Sequence, residues 1–313
     1  MRIFDAPATQ AALPFQRLIP ALREMFATGC QVPARHVHEV RAPDGGSFTS
    51  LIMPAWVEGR YYGVKTINIA PGNGARGLPG LHASYMLYDG STGVPLALID
   101  GDQVTTRRTA AASALAASWL AREDARHLLV VGAGQIAALL PHAYRVVRSI
   151  DEVSVWARSP QKAQALAARL RAEGLPARAA PDLAAACQAA DIVSCATLAT
   201  EPVVQGAWLR PGTHLDLIGS FTPAMREADD ACFAGAALYL DTEEGLKKSG
   251  ELLGPLARGV FTAAEVRGTL ATLARGESAG RRDSVERTVF KSVGIALEDL
   301  AAAITVFEAR GAD

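Results

Sequence analysis

The hydrophobic positions in the first third of the chain form short runs between glycine and proline turns. This pattern predicts a helix followed by strands. In residues 14–28, Leu18, Leu22, Met25 and Phe26 recur at helical spacing, which indicates an amphipathic helix. The turn sequence DGSTG at 89–93 predicts a hairpin between the last two strands. The predicted strands are Ser50–Pro54, Tyr61–Ile69, Ala83–Tyr88 and Pro95–Ile99.

From about residue 105 to residue 285, apolar runs alternate with alanine-rich helical patterns. An alanine-rich helix is predicted over residues 106–121, where it crosses between two domains. Alternation of strand and helix at this pitch is typical of a parallel sheet with right-handed crossovers. The predicted strands are 127–132, 152–157, 191–197, 213–219 and 236–240, with helices at 160–173 and 181–190.

A glycine motif follows the first of these strands. The run LLVVGAGQIA starting at Leu128 predicts a buried strand, a tight turn and the start of a helix. A dinucleotide site requires this arrangement. A turn with a purely structural role has the same pattern and is the alternative. The glycines permit the turn and a close approach of pyrophosphate, and the helix N-terminus offers N–H groups to the phosphates. The predicted cofactor contacts are Gly132, Gly134, Gln135, Ile136 and Ala137.

The end of the second strand of the predicted parallel sheet, residues 152–157, indicates which dinucleotide would bind. An acidic residue there would bind the adenosine ribose of NAD, but the chain has Ala157, Arg158 and Ser159. An arginine and a hydroxyl can hold a 2′-phosphate by charge-assisted hydrogen bonds. The sequence therefore favours NADP(H), with NAD(H) as the alternative.

The pattern of residues 284–309, the last region, predicts one long helix. Val289, Val293, Leu297, Leu300 and Ile304 would form its buried face. Because it follows the nucleotide-binding unit, it is expected to pack back on the first domain. The predicted fold is α/β, with a Rossmann-type parallel-sheet domain at 113–286 and an α+β substrate and dimerisation domain made from both chain ends, 1–112 and 287–313.

Composition excludes several classes of protein. Of the 313 residues, 50% are hydrophobic and 20% charged, and the net charge of −1 favours neither nucleic acid nor an anionic membrane as a partner. Neither a signal peptide nor a membrane helix is indicated. The four scattered cysteines suggest free thiols and no metal site. A cytoplasmic location is expected.

Two features of the first region suggest a ligand beyond the fold. Lys65 lies in a strand among apolar neighbours, where a lysine either extends to solvent or points into a site. The segment DGDQVTTRRTA starting at Asp100 leads into the crossing helix, and Arg107 and Arg108 stand where an anion would meet its first turn, with Thr109 beside them. Two surface arginines on a capped helix remain the alternative.

An ordered set of motifs resembles the ornithine cyclodeaminase/mu-crystallin family. These are DGxxVTxxRTAA from Asp100, VGAGxxA from Val131, ATLATEP from Ala196, PGTH from Pro211, and VFKSVG from Val289 with Glu298-Asp299. Together they span nearly the whole chain. The resemblance implies a homodimer and a pocket that faces the nicotinamide.

Residue roles follow from this resemblance. It implies that Arg108 binds a substrate carboxylate, that Arg35 assists, and that Lys65 contacts the carboxylate and the amine or imine nitrogen. Guanidinium and ammonium groups suit these roles. The remaining predicted cofactor contacts are Thr109, Ala196, Thr197 and Ser292.

The chain departs from family members that cyclise ornithine. Those carry an aspartate after the fourth Rossmann strand, where this chain has Phe221, which can neither accept a proton nor pair with an ammonium. Asp216 lies mid-strand and is expected to be structural. The sequence thus favours NAD(P)H-dependent reduction of a small cyclic imino acid, of the Δ1-pyrroline-2-carboxylate or Δ1-piperideine-2-carboxylate type. The alternatives are ornithine cyclodeaminase, an alanine-dehydrogenase-like enzyme and a non-catalytic mu-crystallin-like binding protein.

Overall fold

The computed structural model describes residues 1–41 and 46–309. The chain divides into two compact units, one formed by Met1–Arg108 with Ile295–Asp313 and the other by Thr109–Gly294. Residues 42–45 and 310–313, which the sequence assigns to the first domain, lie outside the described residues.

The first unit is a mixed sheet with helices from both ends of the chain. Its strands lie in the order β1-β6-β5-β4-β3-β2, and within the described residues all neighbours are antiparallel except the parallel pair β1–β6. The hairpin predicted around residues 89–93 is present. The elements are β1 (Arg2–Phe4), α1 (Ala6–Ala12), α2 (Phe15–Thr28), β2 (His36–Arg41), β3 (Ser47–Val57), β4 (Tyr61–Ile69), β5 (Leu81–Asp89), β6 (Pro95–Asp100), the start of α3 (Gly101–Leu120), and α10 (Ala296–Glu308).

Side chains on the central strands alternate between a buried and a half-exposed face, as the twofold period of a strand requires. The register places Met53, Lys65, Tyr85 and Ile99 in one row across four strands, and all four are buried. α10 contacts this sheet and α2. The C-terminal helix therefore closes the core of the N-terminal sheet.

The second unit is built on a parallel sheet of eight strands in the order β13-β12-β14-β11-β10-β7-β8-β9. The part β9-β8-β7-β10-β11 has the 3-2-1-4-5 order of a dinucleotide-binding sheet, and β14, which follows β12 and β13 in the chain, lies beside β11. The elements are β7 (His127–Val131), α4 (Gln135–Val147), β8 (Glu152–Trp156), α5 (Pro160–Ala172), β9 (Ala177–Ala179), α6 (Leu183–Ala189), β10 (Ile192–Cys195), β11 (His214–Leu217), β12 (Ala237–Leu240), α7 (Gly245–Lys248), α8 (Gly250–Ala257), β13 (Val266–Thr269), α9 (Leu270–Ala274) and β14 (Thr288–Lys291).

These two sheets confirm the predicted α/β fold class, but the helix predicted over residues 284–309 is correct only from Ala296 onward. Residues 288–291 form β14, which lies between β11 and β12 in the parallel sheet, and α10 begins only at Ala296. Gly294, with a φ of 73°, separates the two elements. A short strand buried on both faces is apolar throughout, so periodicity alone could not distinguish it from a turn of buried helix.

Gly63 is required because the ring of Tyr85 occupies the space where a side chain would lie. A Cβ at Gly63 would be 2.0 Å from the Tyr85 Oη atom. We expect Gly63→Ala to lower the free energy of unfolding by about 1–3 kcal/mol, since the core must shift to admit the methyl group. Urea unfolding measures this change. Gly74→Ala is the matched control, because nothing lies within 4 Å of its Cβ position. Equal stability of the two variants would contradict this packing.

Candidate active site

The turn after β7 has the geometry that a pyrophosphate needs. Gly132 has a φ of 130°, and a Cβ there would lie 2.6 Å from the Ala196 carbonyl oxygen. Gly134 is the N-cap of α4, no side chain caps the helix there, and nothing lies within 4 Å of its Cβ position. Gln135 and Ile136 form the first turn, and Ala137 is buried against the sheet. The N-terminus of α4 therefore fits a phosphate group.

Arg158 and Ser159, the residues predicted to hold the 2′-phosphate of NADP, follow the next strand of the sheet, β8. Arg158 is exposed directly after β8. Ser159 is the N-cap of α5, and its Oγ accepts a hydrogen bond from Lys162 N at 3.4 Å. The arginine and the start of the helix thus lie at the carboxyl edge of the sheet, where such ligands bind.

The other predicted cofactor residues follow neighbouring strands or lie on α3. Ala196 and Thr197 follow β10, and Ser292 follows β14, where its Oγ donates to Asp241 Oδ2 at 2.9 Å. Thr109 is buried on α3. The carboxyl edge of the parallel sheet thus brings together Gly132, Ala196 and Thr197, which lie far apart in the sequence.

Two buried glutamates, here called the acidic brace, hold the loops after β10 and β11. Glu227 accepts hydrogen bonds from Thr197 and from Gly219 and Ser220. Glu251 accepts from the backbone N of Glu227 at 2.7 Å and of Ala228 at 2.9 Å, and from Ser220 Oγ at 3.0 Å. Burial raises the pKa of Glu227 to about 7, with Lys291 opposing the shift and Glu251 adding to it.

Asp216 is a buried structural carboxylate, as the sequence suggested. It lies within β11 and accepts hydrogen bonds from Ser113 Oγ at 3.2 Å, Tyr144 Oη at 2.9 Å and Ser194 Oγ at 2.5 Å. Burial raises the pKa of Asp216 to about 6, and these three donors oppose the shift. The hydroxyl groups orient the carboxylate between the sheet and the helices that flank it.

Four charged side chains meet in the core of the first unit. Lys65 Nζ lies 2.5 Å from Asp299 Oδ2, and Arg108 Nε lies 3.0 Å from Asp299 Oδ1. Arg108 also contacts Glu298, with 2.6 Å between Nη1 and Oε2. Lys65, Asp299 and Glu298 have no exposed surface. We call these four residues the ion cluster.

The ion cluster joins three elements that are distant in the sequence. Lys65 lies on the core face of β4, Arg108 on the first half of α3, and Glu298 and Asp299 in the first turn of α10. Two cations face two carboxylates, so the buried charges balance. Burial lowers the pKa of Lys65 to about 8, while Asp299 opposes the shift and Arg108 adds to it.

The two other arginines differ from Arg108 in their surroundings. Arg35 is half-buried and directly precedes β2. The first residue of β2, His36, pairs with Ile52 on β3. Arg35 therefore lies next to Met53, which is in the same row as Lys65. Arg107 donates from Nε to the Leu13 carbonyl oxygen at 2.8 Å, and its guanidinium lies over the Phe15 ring. Arg107 is therefore a structural link to α2.

Phe221 follows β11 and is 40% exposed. It gives no carboxylate to the loop in which cyclising family members have one. Among the described residues, no group of histidine, cysteine and acidic side chains could hold a metal ion. In the same part of the chain, no helix is long and apolar enough to cross a membrane.

Sequence reasoning assigned no role to Glu298, Asp299, Glu227 or Glu251. One signal was available for the first two, because a pair of acids interrupts the apolar pattern at the start of α10. The acidic brace has no such signal, since Glu227 lies in an irregular loop and its donors come from residues 197, 219 and 220.

The sequence matches a known protein family over nearly its whole length. The family model described as "Ornithine cyclodeaminase/mu-crystallin family" matches residues 12–312. The chain belongs to this family. The resemblance drawn from the sequence motifs is thereby confirmed.

The relatives within the family include reductases and a dehydrogenase. The chain is 46% identical to the Δ1-pyrroline-2-carboxylate reductase of Paracoccus denitrificans, over 92% of this chain and 90% of the relative. The Thermococcus litoralis Δ1-pyrroline-2-carboxylate reductase, solved with NADH and L-proline, has a TM-score of 0.92 and 31% identity, covering 99% of this chain and 97% of that one. An archaeal alanine dehydrogenase dimer with bound NAD has a TM-score of 0.90 and 29% identity, covering 99% and 95%.

Proposed function

We propose that the chain is an NAD(P)H-dependent reductase of a small cyclic imino acid, of the Δ1-pyrroline-2-carboxylate or Δ1-piperideine-2-carboxylate type. The ion cluster is the observation that carries this proposal. It holds an ammonium and a guanidinium at fixed positions in the interior, both on Asp299. The reductases among the relatives support the same reaction.

The charges of the ion cluster suit such a substrate. A protonated cyclic imino acid carries one positive nitrogen and one carboxylate, and is neutral as a whole. The ion cluster is also balanced, with two cations and two carboxylates. Binding therefore adds no net charge to the interior, which matters because an unpaired buried charge is costly.

Each residue of the ion cluster has a distinct task in the proposed reaction. Arg108 binds the substrate carboxylate, Arg35 assists it, and the ammonium of Lys65 gives its proton to the imine nitrogen, which becomes the iminium form. Asp299 and Glu298 hold these cations in position. A bound dihydronicotinamide would supply the hydride for the imine carbon, and these residues would hold the substrate for that transfer, so the product would be the cyclic amino acid.

Reduction of a preformed imine requires less of the protein than cyclisation of ornithine does. Loss of ammonia needs a base and a partner for the departing amine. Phe221 supplies neither function to the loop after β11. Imine reduction needs the carboxylate anchor, a proton on nitrogen and the hydride, so it fits the residues present.

We propose NADP(H) as the preferred cofactor and NAD(H) as the alternative. Arg158 is exposed at the end of β8, and the first turn of α5 begins beside it at Ser159. A 2′-phosphate would gain a charge-assisted hydrogen bond and the helix N-terminus there.

The proposed reaction is tested by following NADPH and NADH oxidation with Δ1-pyrroline-2-carboxylate, beside an assay for ammonia release from L-ornithine. We expect oxidation without ammonia release, and faster turnover with NADPH. Lys65→Met and Arg108→Met should each lower kcat/KM by about a hundredfold or more, because they remove charged contacts to the substrate, while cofactor binding is retained. Lys247→Met, on α7, is the matched control.

The other outcomes identify the alternatives. Ammonia release from ornithine would indicate a cyclodeaminase, and oxidation of L-alanine with NAD would indicate an amino-acid dehydrogenase. Tight ligand binding with no turnover would favour a binding protein. Full activity of both Lys65→Met and Arg108→Met would contradict the site.

The pKa of Lys65 predicts how the rate depends on pH. With a pKa of about 8, Lys65 carries its proton below that pH and loses it above. We therefore expect kcat/KM for the imine to fall as the pH rises through about 8, in initial-rate measurements from about pH 6 to about pH 10. Lys65→Arg serves as the comparison, because a guanidinium keeps its charge and should remove this fall. A wild-type rate that stays constant to pH 10 would mean that Lys65 is not the donor.

We also propose that the chain forms a homodimer through the outer face of the first sheet. The register aligns Pro54, Val64, Met86 and Leu98 in one row on the face opposite Lys65, and Trp56, Tyr62 and Tyr88 in the next. These side chains are only partly buried in the single chain. Contiguous apolar surface of this kind typically marks a protein interface, and the related alanine dehydrogenase is a dimer.

Light scattering coupled to gel filtration tests the dimer. We expect a particle of twice the 32.9 kDa chain mass, and a monomer for Val64→Glu, which places a charge in the centre of the proposed interface. Val285→Glu is the control, since Val285 is 65% exposed and belongs to the second unit. A monomeric wild type, or a Val64→Glu variant that stays dimeric, would refute this interface.

A further inference from the structure

We propose that Glu227, supported by Glu251, is a positioning residue that sets the nicotinamide half of the cofactor site. This inference rests on the proposed function only in requiring that the parallel sheet binds a nicotinamide dinucleotide. Neither glutamate needs to contact the cofactor, because each acts through the loops that it holds.

The Glu227 side chain joins the starts of two loops, whose later parts are connected by the bridge between Val204 and Ala228. Its Oε1 accepts from Thr197 N at 2.7 Å and from Thr197 Oγ1 at 2.9 Å, in the loop after β10. Its Oε2 accepts from Gly219 N at 2.7 Å and from Ser220 N at 3.3 Å, in the loop after β11. This carboxylate therefore ties Thr197 to Gly219 and Ser220 directly beyond the carboxyl ends of two adjacent strands.

The loops are packed too closely to take another spacing. A Cβ at Gly219 would lie 1.9 Å from the Thr197 carbonyl oxygen and 2.4 Å from Glu227 Oε1. The loop after β10 in turn contacts the glycine turn, as the short approach of Gly132 to Ala196 demonstrates. A shift of Glu227 would thus be transmitted along this edge of the sheet.

Strand order assigns these loops to the nicotinamide half. A dinucleotide lies across the point where the order reverses, with its pyrophosphate at the glycine turn after β7. The adenosine half extends over β8, where Arg158 and Ser159 lie. The other half must extend over β10 and β11, whose loops Glu227 holds.

Three backbone N–H groups and the Thr197 hydroxyl face the Glu227 carboxyl group, so both of its oxygens are placed as acceptors. Glu251 completes the arrangement by accepting from the Glu227 backbone N, which fixes where the side chain of Glu227 begins. The buried ammonium of Lys291, bound to the Leu217 carbonyl oxygen at 2.9 Å, supplies compensating positive charge from β14. Asp216 is a further buried acid, on β11.

The experiment compares ligands with and without the nicotinamide. Affinities of wild type and Glu227→Gln are measured by calorimetry for NADP⁺ and 2′-phospho-ADP, and in parallel for NAD⁺ and ADP. We expect the substitution to weaken binding of the complete dinucleotide by about tenfold or more, because the amide NH₂ would face N–H donors. Affinity for the two ADP fragments should stay within about twofold of wild type, since the adenosine half is unaffected.

Two further variants separate positioning from general damage. Glu265→Gln is the matched control, because Glu265 accepts from Thr262 N at 2.6 Å and Thr262 Oγ1 at 2.9 Å, as Glu227 does from Thr197, but caps an exposed turn. Glu227→Asp keeps the carboxylate on a shorter side chain, which can contact one of the two loops at most. If Glu227→Gln does not fold, Glu227→Asp should give the same selective loss.

The outcomes are decisive in each direction. Selective loss of affinity for the dinucleotide supports the inference, and so does a raised KM for the cofactor with an unchanged KM for the imine. Equal losses for dinucleotide and fragment, or none for either, overturn it. A wild-type protein that binds no nucleotide would overturn the proposed cofactor use itself, whereas one that binds nucleotide without reducing imines would leave the test of Glu227 fully valid.

Discussion

The ion cluster in the core of the first unit is the constraint on which its structure depends. Lys65 and Asp299 are fully buried and Arg108 nearly so, and a buried charge is tolerated only when it is paired. The pairing therefore obliges β4, the start of α3 and the first turn of α10 to meet at one point. Hydrophobic burial brings α10 onto the sheet, and the contacts of Glu298 and Asp299 with the two cations hold its register.

The same group of residues links folding to chemistry. An apolar quartet of similar volume would give an equally well packed core at lower desolvation cost. Charged residues kept in such a place are better explained by a ligand that needs them, and a neutral zwitterion fits a balanced set of four. The lowered pKa of Lys65 follows directly from burial and gives it a proton that can be lost near neutral pH.

The second unit uses buried carboxylates in a different way. Glu227 and Glu251 receive almost all of their contacts from backbone N–H groups and hydroxyls of loops, whereas Asp299 receives its contacts from cations. Loops at the carboxyl edge of a parallel sheet lack the ladder hydrogen bonds that order the strands. A buried carboxylate that accepts from two loops supplies this order, and the packing of Gly219 against Thr197 leaves little freedom for it to vary.

The sequence by itself determined the α/β class, most of the parallel strands, the glycine turn at Gly132 and the family, because each depends on local periodicity or on a short motif. The family motifs also drew attention to Lys65 and Arg108, for which residue type alone left a surface position open. The sequence pattern failed at β14, because a short strand buried on both faces has no period to distinguish it from a helix. Only the tertiary structure paired Lys65 and Arg108 with Asp299, and Glu227 with Thr197 and Gly219. Those partners lie up to 234 residues apart, as for Lys65 and Asp299, and electrostatic pairing depends on distance in space, which no local pattern of residues encodes.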